Sequence, residues 1–140
     1  LHEDAGPMRY ALDSNIVSYM LKGDKQLLAK LVEAEWQGNI LRIPSVVYYE
    51  VGRGLAAVNA MAKQADFYRY CSRMGIVDID RPAFDVAIRL YAGLRAAGTP
   101  VEDADIMIAA TCIRHGLTLI TNNVKHFERV SELSFENWVG

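Results

Sequence analysis

Val101–Thr121 reads VEDADIMIAATCIRHGLTLIT, and two periodicities meet in it. Asp105, Ile108, Ala109 and Cys112 are spaced i, i+3, i+4 and i+7, which places them on one helix face. That face is apolar except at its first position, where a carboxylate sits. Gly116 is placed to cap the helix C-terminus, with His115 in the last turn, where a cation suits the helix dipole. Leu117–Thr121 is short, apolar and β-branched, the composition of a buried strand. An acid therefore opens a core-facing helix, and a tight turn returns the chain into a sheet. Asp103 and Asp105 also have an ordinary use as helix N-caps, and on this stretch alone capping accounts for them.

Working outward, the same alternation recurs. Arg9–Leu12 (RYAL) predicts a strand that stops at Asp13 and turns into the apolar run IVSYML. An acid there lies at the carboxyl end of a strand, where open α/β sheets bind ligands, or it simply caps the following helix. Gly23-Asp24 breaks the chain and starts a helix over Lys25–Gln37, with Leu27, Leu28, Leu31 and Val32 as its stripe. Ile40–Ile43 predicts a second strand, stopped by Pro44, with Ser45 as N-cap of the helix VVYYEVGRGL. Ala56–Met74 reads as one long helical segment, capped by Gly75. Ile76–Asp80 alternates like a strand, and Asp80 with Pro82 is a helix start. Phe84, Ala87, Ile88, Tyr91 and Leu94 carry that helix to Gly98. After Leu117–Thr121 come Asn122-Asn123, a helical turn over Val124–Val130, and an edge strand over Leu133–Glu136. The order predicts an α/β fold: a three-layer α/β/α domain around a mostly parallel central sheet.

The 140 residues fit one domain, 51% of them apolar, and no segment is long and uncharged enough to span a membrane. Residues 1–7 (LHEDAGP) are polar and lack the apolar core of a signal peptide. They read as an extension, native or introduced, ahead of a domain at residues 8–140. Cys71 and Cys112 give no disulfide framework, which fits a reducing cytoplasm. Fifteen basic and seventeen acidic side chains leave a net charge of −2. A nucleic-acid coat is usually basic, so nucleic-acid binding here needs a local patch and the help of metal ions.

Glu50 is the second anomaly. It shares a helix face with Val47, Val51 and Gly54, and burying an ionised carboxylate costs several kcal/mol unless it is paired or metal-bound. An ion pair with Arg53, one turn on, is the bland alternative. Gly52 and Gly54 in the same helix suggest a close backbone approach or a break. Asp13, Glu50, Asp105 and Asn123 thus stand at comparable places, two after strands and two on apolar helix faces. Converging carboxylates repel and raise one another's pKa. A hard divalent cation relieves that repulsion, and oxygen donors favour Mg²⁺ or Mn²⁺ over zinc. Such sites hydrolyse phosphodiesters, often with two ions about 4 Å apart. Cys112-x-x-His115 is a weak zinc signal, and His115 and His126 sit where surface histidines are ordinary. A receiver-like phosphoacceptor would need an acid pair after the first strand, where only Asp13 is present.

LDSNIVSYML at residues 12–21, SVVYYEVGRG at 45–54, VEDADIMIAAT at 101–111 and TNNVKHFERV at 121–130, followed by ENW, carry a resemblance from Met8 to the C-terminus. The chain resembles the PIN-domain family, in particular the VapC-type toxins of bacterial type II toxin–antitoxin pairs. The resemblance implies a Mg²⁺- or Mn²⁺-dependent endoribonuclease that cuts structured RNA, commonly tRNA, and slows translation. Asp13, Glu50 and Asp105 match the family's acids, which hold the metal. Asp103 is an auxiliary acid, and as a helix cap it has a second use. Asn123 matches the fourth catalytic position, Asp in many members, and its neutral side chain weakens a second metal site. Asn15, Ser45 and Thr121 match small polar positions that orient the acids or a bound water. Arg53 is placed to touch a substrate phosphate, with Lys22, Lys25, Arg73, Lys125 and Arg129 as further candidates. The resemblance also implies a homodimer and a VapB-type antitoxin whose C-terminal segment covers the acidic pocket. The neutral Asn123 favours an alternative: a catalytically weak PIN domain acting by RNA or antitoxin binding.

Overall fold

A computed structural model describes residues 6–140, so residues 1–5 of the expected extension lie outside the described residues. β1 (Arg9–Leu12) leads through α1 (Ser14–Leu21) and α2 (Lys25–Trp36) to β2 (Ile40–Pro44). α3 (Ser45–Ala57) and α4 (Met61–Met74) precede β3 (Ile76–Val77), and α5 (Arg81–Ala96) and α6 (Asp103–His115) precede β4 (Thr118–Ile120). α7 (Val124–Phe127) and β5 (Phe135–Glu136) follow. The strands form one parallel sheet in the order β3-β2-β1-β4-β5. Helical crossovers make parallel pairing possible and cover the sheet as they do so. Ala11 and Leu12 point to opposite faces of β1, as Leu119 and Ile120 do on β4, and all four are fully buried. Helices therefore cover both faces, and the domain has three layers.

β1 and β4 are the pair about which the chain reverses its direction of travel across the sheet. From β1 it builds outward through β2 to β3, then crosses back to β4 and β5. Their register sets Leu12 beside Ile120, and Asp13 N–H extends the ladder by donating to Ile120 C=O at 3.0 Å. The segments leaving these two strands flank the switch point, the place where open α/β sheets take ligands. A receiver-like fold orders its strands 2-1-3-4-5, so this topology removes that reading. Among the described residues, no helix is long and apolar enough to cross a membrane.

Most element boundaries agree with the periodicities. Asp24 and Asp80 cap their helices, accepting from Leu27 N–H and Ala83 N–H at 3.0 Å each. Gly116 ends α6 in the left-handed region at φ +66°. Four expectations need correction. Ala56–Met74 is not one helix: α3 runs to Ala57, the chain turns through Val58–Ala60, and Asn59 takes φ +53°. Asn tolerates that conformation better than other L residues. Only Ile76–Val77 of Ile76–Asp80 pairs, because Asp80 is occupied by its cap. The helical turn expected over Val124–Val130 closes at Phe127. Ser45 is not an N-cap but the first residue of α3, following Pro44, and its Oγ accepts from Ile79 N–H at 3.1 Å.

Gly52 and Gly54 do not break α3. A Cβ on Gly52 would meet Phe67 Cε2 at 3.8 Å, an ordinary van der Waals distance, and one on Gly54 would meet nothing within 4 Å. Only the entropic cost of a helical glycine remains. Gly54→Ala is therefore expected to raise the unfolding free energy by about 0.5–1 kcal/mol, read from urea denaturation with unchanged m-value. A destabilised variant would show that α3 needs the bare backbone there.

Candidate active site

Asp13 is the best-buried carboxylate among the described residues, at 3% exposure. Burial follows from its position: the last ladder bond of β1 uses its own N–H, so the side chain starts from the interior of the sheet edge. Three donors hold it. Ser14 N–H donates to Oδ1 at 2.8 Å, and Thr121 Oγ1 and Asn15 Nδ2 donate to Oδ2 at 2.7 and 3.2 Å. Asp13 is thus the N-cap of α1, so capping and burial coexist in one residue. Burial pushes its pKa up to about 6. The hydrogen bonds from Thr121 and Ser14 pull against that rise, while the charges of Asp105 and Glu50 add to it. Mutual repulsion of the acids is therefore present, but desolvation is the larger cause.

Glu50 lies on α3 and is half-buried. Its Oε1 accepts from Ser14 Oγ at 2.6 Å, so Ser14 alone touches both acids, through its backbone N–H and its hydroxyl. The expected ion pair with Arg53 does not form: the Arg53 guanidinium stands over the Tyr49 ring, 5.1 Å from its centroid. Arg53, Lys22 and Lys63 instead line a cleft of about 380 Å³ that Ser14, Ser18 and Glu50 also border. Two of the other cations are engaged elsewhere, Arg73 with Glu35 at 2.8 Å and Arg129 with Pro100 C=O at 3.1 Å.

Asp105 occupies the first turn of α6, a helix so apolar that Ile106 and Ile108–Cys112 are all buried. Its Oδ2 meets His126 Nδ1 at 3.0 Å, and the Asn123 side-chain amide meets the same Nδ1 at 2.8 Å. Asn123 N–H donates to Thr121 Oγ1 at 2.9 Å. Asp103 neither caps α6 nor joins this group: the N-cap residue is Glu102, without a side-chain cap bond, and Asp103 is exposed at the first helical position. Asn15 also ties the far loop, its Oδ1 accepting from Asn122 N–H at 3.0 Å.

The structure thus gathers Asp13, Asn15 and Thr121 directly, brings Glu50 in through Ser14, and joins Asp105 with Asn123 through His126. Ser45 and Asp103 stand apart. Sequence reasoning passed over Ser14 and set His126 aside as an ordinary surface histidine. Ser14 could have been found as a hydroxyl adjacent to the first acid, and His126 as the residue three beyond Asn123 in a helical turn. Among the described residues, no three His, Cys, Asp or Glu side chains gather tightly enough to enclose an ion by themselves. The arrangement is an open, oxygen-rich edge rather than a closed cage.

A family model for the PIN domain matches residues 10–133. Ribonuclease VapC2 of Rickettsia felis is 29% identical over 132 residues, spanning 94% of this chain and 98% of that protein. The tRNA(fMet)-specific endonuclease VapC of Shigella flexneri is 31% identical over 133 residues, again spanning 94% and 98%. A chain in the crystal structure of VapBC2 from Rickettsia felis, bound to a DNA fragment from their promoter, superposes with TM-score 0.87 at 28% identity. That match covers 94% of this chain and all of the other. With these matches over the four motifs and the switch-point site, the chain belongs to the PIN-domain family, among its VapC proteins.

Proposed function

We propose that this protein is a VapC-type toxin, an endoribonuclease that hydrolyses RNA phosphodiester bonds with Mg²⁺ or Mn²⁺ and is neutralised by a VapB-type antitoxin. The observation that carries the reading is Asp13: a buried carboxylate with no cationic partner among the described residues, lying within reach of the charges of Glu50 and Asp105. Keeping such a group costs stability unless a cation is recruited. The donor set fits a hard ion. It is all oxygen, and Mg²⁺ is usually held by one or two carboxylates while it keeps several waters, so an open edge suits it. Asp13, Glu50 and Asp105 would hold the ion, directly or through water. Bound there, it supplies Lewis-acid charge at the attacked phosphate and makes a water more acidic.

This chain's own residues do the rest by orientation. Thr121, Ser14 and Asn15 donate to Asp13 and keep its carboxylate ionised in spite of burial. Ser14 Oγ–H fixes Glu50. Arg53, with Lys22 and Lys63 beside it, offers positive charge in the cleft next to Glu50, where an RNA backbone needs it on a protein of net charge −2. The names of the relatives, ribonuclease and tRNA(fMet)-specific endonuclease, support RNA and specifically tRNA as substrate. The VapBC complexes support a VapB-type partner. Exposed Tyr49, Val58, Met61 and Tyr68, on α3, α4 and the turn between them, give an antitoxin or a second copy of the chain an apolar surface. The proposed compartment is the cytoplasm, where tRNA is found and where two free, buried cysteines stay reduced.

A second reading, a PIN domain that binds RNA or antitoxin but cuts weakly, draws on Asn123, whose side chain faces His126 and brings no negative charge. Antitoxin-free protein incubated with Mn²⁺ and tRNA separates the two. Discrete cleavage is expected, falling by at least about 10²-fold in Asp13→Ala and Asp105→Ala. Intact RNA with folded wild-type protein across Mg²⁺ and Mn²⁺ would favour the binding role.

Asp13 also makes stability depend on pH. Its folded pKa of about 6 lies above the unfolded value of 3.8, so the folded state holds the proton more tightly. Its contribution is fully present below pH ~3.8 and is lost as pH rises through ~6, a loss on the order of 3 kcal/mol in metal-free protein. In EDTA at pH 7.5, Asp13→Asn should therefore have a higher Tm than wild type, and the gap should close toward pH 4. Mn²⁺ should raise the wild-type Tm and leave that of Asp13→Asn unchanged. Equal Tm values at pH 7.5 in EDTA would show that the buried charge is already compensated.

A further inference from the structure

His126 belongs to none of the acid positions, yet it is where two of the candidate residues meet. It sits on α7, a single turn pinned by Phe127, which is fully buried. Its Nδ1 lies 3.0 Å from Asp105 Oδ2 and 2.8 Å from Asn123 Nδ2. A ring nitrogen has one in-plane site, so Nδ1 cannot donate to Asp105 and accept from Asn123 at once. With Asp105 ionised, the proton must be on Nδ1, and Asn123 must turn its carbonyl oxygen toward the same N–H. Asp105 then has Oδ2 fixed and Oδ1 without a protein donor among the described residues. The other end of Asn123 is equally committed: its backbone N–H holds Thr121 Oγ1, whose own proton goes to Asp13 Oδ2. One unbroken chain of hydrogen bonds, Asp13–Thr121–Asn123–His126–Asp105, joins the acid that ends β1 to the acid that opens α6.

We propose that His126 is a positioning residue whose Nδ1–H aims the Asp105 carboxylate, and that Asn123 acts on this hydrogen bond rather than on a reacting atom. The inference rests on reading Asp105 as an ion-holding carboxylate. Groups behind a metal ligand fix its orientation, and losing one typically costs 10- to 100-fold in affinity or activity. It also gives Asn123 a role that needs no negative charge. Half-exposed as it is, with 41% of its side chain open to solvent, His126 has a rival use in which Nε2 passes protons to substrate. Isosteres separate the two. The amide nitrogen of Asn overlays Nδ1 of His, and that of Gln overlays Nε2.

Two measurements on antitoxin-free protein test this. Long-range ¹H–¹⁵N spectra should show His126 as the Nδ1–H tautomer, changing to the ordinary Nε2–H form in Asp105→Ala. Mn²⁺ affinity, from the EPR signal of free Mn²⁺, should weaken about 10-fold in His126→Ala and His126→Gln. It should stay within about threefold of wild type in His126→Asn, and tRNA cleavage should follow the same order. Asn123→Ala should weaken affinity less, and should add nothing once His126 is already Ala. An Nε2–H tautomer in the wild type overturns the inference whatever the metal does. So does a His126→Asn variant as impaired as His126→Ala, which would place the work at Nε2, or a His126→Ala variant with wild-type Mn²⁺ affinity. Wild-type protein that binds no Mn²⁺ would remove the metal reading and this inference together, whereas normal binding unaffected at residue 126 removes the inference alone.

Discussion

The carboxylate of Asp13 sets the terms for everything around it. A charge at 3% exposure persists only if donors surround it, and here the fold supplies them from three places. One is the first N–H of α1, one is a side chain a residue further on, and one is a hydroxyl at the end of β4. The last of these is 108 positions away in sequence, so the site exists only when β1 and β4 are paired. Parallel pairing at Leu12 and Ile120 brings Thr121 to Asp13, and no local element could do so. The donors do not fully offset the burial, which still raises the pKa to about 6. Stability is given up at this point, as is common where a charge is kept for chemistry.

Much of the fold was legible because its punctuation is chemical. Gly116 ends α6 at positive φ, Asp24 and Asp80 cap with their side chains, and Pro82 lies in the first turn of α5. Each can be read from one or two residues. The turn at Val58–Ala60 could not be, because no Gly or Pro marks it. Asn59 takes the left-handed conformation while the flanking segment keeps helical composition throughout. Conversely, Gly52 and Gly54 suggested a break that tertiary packing overrides, since α3 is held through Val47 and Val51 in the core.

The candidate site was legible where burial and charge conflict, and obscure where only polar groups meet. Glu50 and Asp105 stood out as acids on apolar helix faces, and Asp13 as an acid that ends a strand. Asp103 and Ser45 looked like caps or orienting groups by residue type, yet type does not fix direction: one is exposed, and the other is spent on Ile79 N–H. The Glu50–Arg53 pair was plausible at one turn's spacing, but Tyr49 holds the guanidinium and Ser14 holds the carboxylate. Spacing gives what can meet; packing of the neighbouring side chains decides what does. Ser14 passed unnoticed and His126 looked like an ordinary surface histidine for the same reason, since their partners lie 36 and 21 positions away.

The neutral side chain at 123 looks like a loss when the acids are counted, and different when donors are counted. In the inferred tautomer His126 Nδ1 carries one proton, and Asp105 uses it. A second carboxylate at 123 would face the same N–H, leaving one of two anions without a donor at a half-buried edge that already raises the pKa of Asp13. Like charges that share one proton push each other's pKa upward, so an acid there would need its own cation. An amide asks for less, because its carbonyl oxygen can share the N–H at no net charge. Asn123 and His126 are in this sense one choice rather than two. On the function and positioning role proposed above, the pair gives up a further carboxylate in exchange for a fixed orientation of Asp105, which suits a site organised around fewer ions.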